Sequence, residues 1–292
     1  MSETLQWEAD LVVDAHARLS EGPVWCAGEA VLHWVDIDLG RIHRYDPATG
    51  ADEHLDIGEP VRAVVPTRSG GLALAAKSGF ALVELWPGRP RKLANVESDR
   101  PETRMNDGAC DSRGRFWAGT MHTEFDPCCG SLYRLDPDGT VTRMVEDVSI
   151  SNGIAWSPDD TVMYYVDTPS GGIDAFDFDP EKGEIANRRR VIDVDPGEGK
   201  PDGLVVDAEG FLWLALWDGW AVRRYRPDGA IVAVVDLPCA RVTKCAFGGP
   251  ALDELYITTA SPNEPDADQP HAGGLFRTRP GVIGLPSNPF AR

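Results

Sequence analysis

Asp202-Gly-Leu-Val-Val-Asp-Ala-Glu-Gly-Phe-Leu-Trp-Leu-Ala-Leu216 reads as a polar residue, an apolar run, a tight turn and a second apolar run. It lies over Asn152-Gly-Ile-Ala-Trp-Ser-Pro-Asp-Asp-Thr-Val-Met-Tyr-Tyr-Val166 and over Asn106-Asp-Gly-Ala-Cys-Asp-Ser-Arg-Gly-Arg-Phe-Trp-Ala-Gly-Thr120. Asp, Ser, Pro and Gly at the turn tolerate hairpin geometry. A third strand follows in each unit and ends in another turn, as in Leu132–Leu135 before Asp-Pro-Asp-Gly and Val222–Tyr225 before Arg-Pro-Asp-Gly. Weaker copies begin at Glu21, near Arg62 and near Lys244.

The six starts, near residues 21, 62, 106, 152, 202 and 244, are spaced by roughly 40–50 residues, the period of a propeller blade. Short strands without helical periodicity complete the pattern. The expected fold is therefore all-β, a six-bladed β-propeller in which residues 1–292 form one domain. The stretch Leu11–Ala15 is expected to supply the last strand of the final blade. An eight-stranded sandwich leaves the six copies unexplained.

Composition bounds the function. The chain has 292 residues, 42% of them apolar, with 28 basic against 47 acidic side chains for a formal charge of −19. Phosphate binding needs a basic face, so nucleic acid is excluded as a partner, and an anionic membrane surface is disfavoured on the same ground. No apolar run reaches the length of a membrane span, and the N-terminus lacks the basic and apolar regions of a signal peptide. Six cysteines without a Cys-x-x-Cys pair argue against a disulfide framework or structural zinc and for a reduced, cytoplasmic chain.

In a propeller the first strand of each blade lines the central channel. Superposition of the copies brings Glu21, Arg62, Asn106, Asn152, Asp202 and Lys244 to one level. Gly follows Glu21, Asn152 and Asp202 directly, so their polar tips are uncrowded. Two carboxylates and an amide carbonyl make a hard-cation site suited to Ca²⁺, Mg²⁺, Mn²⁺ or Fe²⁺. No Cys or His falls in the ring. Arg104, two residues before Asn106, points to the same side of an extended segment, and Glu124 follows the second strand of that blade. A guanidinium and an amide beside a metal suit a polyhydroxylated or carboxylate-bearing ligand.

Several stretches together carry a resemblance: Leu19–Trp25, Arg104–Gly108, Ala118–Met121, Ile150–Gly153, Pro201–Gly203 and Cys245–Gly249. With these in blade order, the chain resembles the SMP-30/gluconolactonase/regucalcin family of sugar lactonases, six-bladed propellers. The resemblance implies that Glu21, Asn152 and Asp202 hold one divalent ion (Ca²⁺, Zn²⁺, Mn²⁺, Mg²⁺ or Fe²⁺). It implies further that Asp202 accepts the proton and that Arg104, Asn106 and Glu124 contact substrate. The expected activity is hydrolysis of an aldonolactone such as glucono-, xylono- or arabinonolactone by a monomer. The alternatives are a non-catalytic calcium-binding or protein-binding propeller, or a hydrolase of another activated ester. The loop Phe125–Cys129 and the stretch Ser261–His271 depart from the family pattern.

No G-x-S-x-G elbow, His-Glu-x-x-His or P-loop is present. Asp177-Phe-Asp-Pro-Glu181 lacks the Gly and the terminal Glu of an EF-hand loop and reads as a hairpin turn. Arg188-Arg189-Arg190 reads as a solvated edge strand.

Overall fold

The computed structural model describes residues 4–263 and 266–292. Six sheets surround a central channel. Blade 1 runs outward through Ser20–Cys26, Val31–Asp36, Arg41–Asp46 and Ala51–Asp56, and blade 2 through Val61–Pro66, Leu72–Ala76, Gly79–Val83 and Arg91–Asn95. Blade 3 comprises Thr103–Cys110, Phe116–His122, Gly130–Leu135 and Val141–Val148; blade 4 comprises Ser151–Trp156, Val162–Asp167, Gly172–Asp179 and Glu184–Asp193. Blade 5 holds Lys200–Val206, Leu212–Trp217, Ala221–Tyr225 and Ile231–Asp236, and blade 6 holds Arg241–Gly248, Glu254–Ala260 and Leu275–Thr278. Within each blade these strands are antiparallel.

The fourth strand of blade 6 is Asp10–Val13, paired antiparallel with Leu275–Thr278, as the sequence led one to expect of Leu11–Ala15. A fifth strand on blade 5 was not foreseen. Leu5–Glu8 pairs there in parallel with Ile231–Asp236. Ser20–Cys26 then packs against Arg241–Gly248 and closes the ring.

Burial explains the strand sequences. Second strands such as Leu212–Trp217 are covered on both faces by neighbouring blades and read as continuous apolar runs. Outer strands face water: Glu184–Asp193 is mostly exposed, and its Arg188 and Arg190 both pair with Asp174. The apolar mass lies between blades. Trp117, Trp156 and Phe178 interlock between blades 3 and 4, and Trp213 meets Phe247 edge-on between blades 5 and 6. Two units repeat the same buried tie. The Trp117 indole donates to Asp111 at 2.9 Å beside Arg115, and the Trp213 indole donates to Asp207 at 2.9 Å beside Arg224.

The inner strands all carry an irregularity near their start. Between Met105 and Gly108, Ser151 and Ile154, and Pro201 and Leu204, one extra residue interrupts the ladder. A bulge bends the strand and re-aims a side chain. Asn106, Asn152 and Asp202 occupy the equivalent bulge position. Asp107 stands where the other two blades have Gly153 and Gly203. Glycine is needed at these two because a Cβ on Gly153 would lie 2.8 Å from the Asp202 carbonyl oxygen, and one on Gly203 would lie 2.7 Å from that of Thr243.

Two ring positions are corrected by the register. Glu21 is still paired, with Val35, just before its bulge. In blade 6 the irregularity falls at Thr243, so Lys244 is one residue further along and does not join the ring. The C-terminal tail crosses the opposite mouth of the channel, where Gly284 bridges to Asp207 and Phe290 to Thr67. Among the described residues no helix is long and apolar enough to cross a membrane.

Candidate active site

The bulges open onto a cavity of about 350 Å³ at the mouth where the inner strands begin. Glu21, Arg62, Arg104, Asn106, Asp107, Asn152 and Asp202 form its polar floor. Leu19, Ile37, Met121, Phe125, Ile150 and Trp217 form an apolar wall. Six of the eight residues singled out from the sequence for metal, substrate or ring positions thus meet in one space, and Lys244 and Glu124 do not line it. Glu124 lies exposed on the turn after Phe116–His122, next to Phe125.

A chain of hydrogen bonds ties three blades together across the floor. Arg104 Nη1 donates to Asn106 Oδ1 at 2.9 Å, and Asn106 Nδ2 donates to Asn152 Oδ1 at 3.0 Å and to the Ser151 carbonyl at 2.8 Å. Asn152 Nδ2 donates to Thr168 Oγ1 at 2.7 Å, whose hydroxyl donates to the Pro201 carbonyl at 2.8 Å. This sequence of donors leaves one orientation for the Asn152 amide, with its oxygen turned toward Asn106.

The carboxylates are crowded. Glu21 is 6% exposed and Asp202 7%. Burial, reinforced by the Asp107 charge, pushes the Glu21 carboxyl up to about 8, although the Gly22 amide donates to it at 2.6 Å. Burial and the facing charges of Glu21 and Asp107 raise Asp202 well above the ordinary carboxylate range. Below them, Lys244 reaches from blade 6 to the Asp107 carboxylate. Burial alone would lower the Lys244 ammonium, but Asp107 and Glu21 outweigh it and hold its pKa up.

Among the described residues, Lys244 is the one cation that acts on the Glu21 and Asp202 carboxyls. The donor set fits a hard divalent cation on that count and by ligand type: two carboxylates and an oriented amide oxygen. On the other side of the cavity stand two guanidiniums. Burial lowers Arg104 to about 10, and burial together with the nearby Arg104 charge lowers Arg62 to about 9. Both remain cationic at neutral pH, and Arg62 Nε has no hydrogen-bond partner among the described residues. The arrangement can hold a cation on one side and an electron-rich oxygen on the other.

Asp107 and Thr168 escaped sequence reasoning, as did the pairing of Lys244 with Asp107. The Asp-Gly pair of residues 107–108 was a usable signal, since it repeats the acid-glycine step of Asp202-Gly203. Thr168 gave none, because its place in the floor depends on a short 3₁₀ turn, Thr168–Ser170.

The chain is similar to known proteins over most of its length. Residues 19–261 match the family described as "SMP-30/Gluconolactonase/LRE-like region". Regucalcin of Gallus gallus is 40% identical over 284 residues, covering 94% of this chain and 95% of that protein. Pentonolactonase XacC of Haloferax volcanii is 39% identical over 282 residues, covering 94% and 95%. The crystal structure of a calcium-binding protein, regucalcin, from Agrobacterium tumefaciens superposes with a TM-score of 0.95 at 28% identity over the full length of both chains. With the propeller, the bulged ring and a match over most of its length, the chain belongs to the SMP-30/gluconolactonase/LRE-like family.

Proposed function

We propose that this protein hydrolyses a sugar lactone to its aldonic acid in the ring cavity, with one divalent ion held by Glu21, Asn152 and Asp202. The observation that carries the reading is the convergence of these three oxygen donors with Arg104 and Asn106 in a single cavity of about 350 Å³. The lactonase names within the family and of the Haloferax relative support the substrate class. The net charge of −19 favours a neutral small molecule over nucleic acid or an anionic membrane. Six free cysteines suit a reducing, cytoplasmic setting, and the reading is of a monomer.

A divalent ion bound here supplies positive charge that keeps Glu21 and Asp202 ionised and Lewis acidity for the lactone carbonyl oxygen. Asp202 takes a proton from water as the water oxygen bonds to the carbonyl carbon. The ring C–O bond then breaks, and Asp202 returns the proton to the departing ring oxygen. Arg104 is held by Asn106 through one nitrogen and offers its other N–H groups to sugar oxygens. Asn106, with both its amide hydrogens engaged, offers its oxygen to a sugar hydroxyl. Glu124, on the exposed turn beside Phe125, is the remaining proposed substrate contact. The apolar wall of Leu19, Ile37 and Trp217 limits water around the reacting ester.

The test is a pH-indicator assay over a panel of aldonolactones with each of Ca²⁺, Zn²⁺, Mn²⁺, Mg²⁺ and Fe²⁺. Turnover of at least one lactone, lost on chelation and restored by an ion, is expected. Ion binding without turnover of any lactone would favour the calcium-binding reading carried by the regucalcin names. Full activity after thorough chelation would remove the metal from the mechanism.

A further inference from the structure

At the other end of the first inner strand lies a second group of ligating side chains. From Glu21 to Cys26 the strand spans five residue steps, roughly 16 Å, so the group stands apart from the cavity. Cys26 ends the strand Ser20–Cys26, Glu29 lies in the hairpin turn, and His33 lies on Val31–Asp36. The antiparallel register pairs Val24 with His33. Cys26 is two residues beyond Val24, so its side chain shares a face with that of His33.

One ligand atom from each of Cys26, Glu29 and His33 lies within 4.8 Å of the other two. Cys26 Sγ is 3.9 Å from Glu29 Oε1. A zinc ion with ordinary bond lengths needs its ligand atoms about 3.5 Å apart, which small side-chain rotations supply. His33 is only 1% exposed, yet neither ring nitrogen has a hydrogen-bond partner among the described residues. A buried imidazole without a partner is costly, and something must repay that cost. Trp86 of blade 2 covers the ring at 5.7 Å and offers it no acceptor.

The outer contacts are also those of a ligand set. Arg44, the cross-strand neighbour of His33, donates to Glu29 Oε2 from Nη2 at 3.2 Å and from Nε at 3.4 Å. That leaves Oε1, the oxygen facing the thiol, free to coordinate, and such an outer partner orients a ligating carboxylate. Glu29 is exposed, so an ion has a route in and a fourth position opens to water.

We propose that Cys26, Glu29 and His33 form a binding site for a zinc-type transition-metal ion, separate from the ring cavity. Mixed thiolate, imidazole and carboxylate donors select Zn²⁺ or Co²⁺ over Ca²⁺ and Mg²⁺. Binding displaces the Cys26 thiol proton to solvent, and the sulfur pairs with the ion as thiolate. The ion clips the two strands of the first hairpin together on the face that meets blade 2.

The probe is Co²⁺ added to the full-length reduced protein, followed by absorbance. A thiolate-to-cobalt charge-transfer band is expected, a signal that the oxygen ligands of the ring cavity cannot produce. It should vanish in Cys26→Ser and persist in the double variant Cys128→Ser/Cys129→Ser, which removes the other accessible thiols. Competition with a chromophoric chelator should show Zn²⁺ binding at least tenfold weaker in Glu29→Gln than in the wild type. No band in the wild type, or a band that survives Cys26→Ser in protein with a native circular dichroism spectrum, overturns the proposal.

Discussion

Lys244 of blade 6 and Asp107 of blade 3 form a buried ion pair across the channel, between strands on opposite sides of the ring. Lys244 is 5% exposed and Asp107 2%, so water screens neither. A buried pair broken on one side leaves an uncompensated charge, which costs about 3–5 kcal/mol. Lys244→Met should therefore lower unfolding stability by about 3–5 kcal/mol in urea titrations without added metal. The double variant Lys244→Met/Asp107→Asn should recover a large part of that loss. A single variant as stable as wild type would mean that the pair contributes nothing.

The crowded carboxylates make the metal-free protein sensitive to pH. Glu21 is raised from an ordinary carboxylate value to about 8, so the folded state holds its proton more tightly than the unfolded state. Its contribution is fully present below pH 4.5 and is lost as pH rises toward 8. Thermal unfolding of chelator-treated protein should show Tm falling across that window. Glu21→Gln should flatten the slope, and an unchanged slope in that variant would assign the effect elsewhere.

Asp202→Asn keeps the side chain's size but removes the proposed base. Its kcat on the best lactone should fall by about 10²–10⁴, with the circular dichroism spectrum unchanged. Turnover near the wild-type rate would take Asp202 out of the proton transfer.

Thr168 fixes the amide of Asn152 without lining up as a ligand itself. Thr168→Val removes the hydroxyl that accepts from Nδ2 and frees the amide to rotate. Affinity for the activating ion should drop by about 10–100-fold, as for other outer partners of metal ligands. Saturating metal should restore most of kcat, so the defect should be visible as a shift in the metal titration alone. Loss of kcat at saturating metal would give Thr168 a direct part in turnover.

The propeller could be read from the sequence because each blade repeats a turn and an apolar run at fixed spacing, as in Asn152–Val166 and Asp202–Leu216. The ring was readable for the same reason. Asn106, Asn152 and Asp202 share one bulge position, and a repeat alignment carries that position from blade to blade. Lys244 was misplaced because a one-residue shift of the bulge to Thr243 leaves no mark in composition. Asp107 and Lys244 are far apart in the chain, and only ring closure brings them together. The parallel strand Leu5–Glu8 was invisible because four residues carry too little periodicity to register. Cys26, Glu29 and His33 follow no metal-binding spacing; a hairpin turn, not a motif, gathers them.

Asp10–Val13 is the second of the described strands, and its partner Leu275–Thr278 is the last of them. The final blade therefore cannot assemble during synthesis until Leu275–Thr278 has emerged. Five blades can collapse early from local hairpins, while the closing joint waits on a contact of very high sequence separation, which slows folding. Through that interval the leading segment must stay unpaired without recruiting another chain. Glu8 and Asp10, acidic residues within the two waiting strands, are of the kind that discourages such edge pairing.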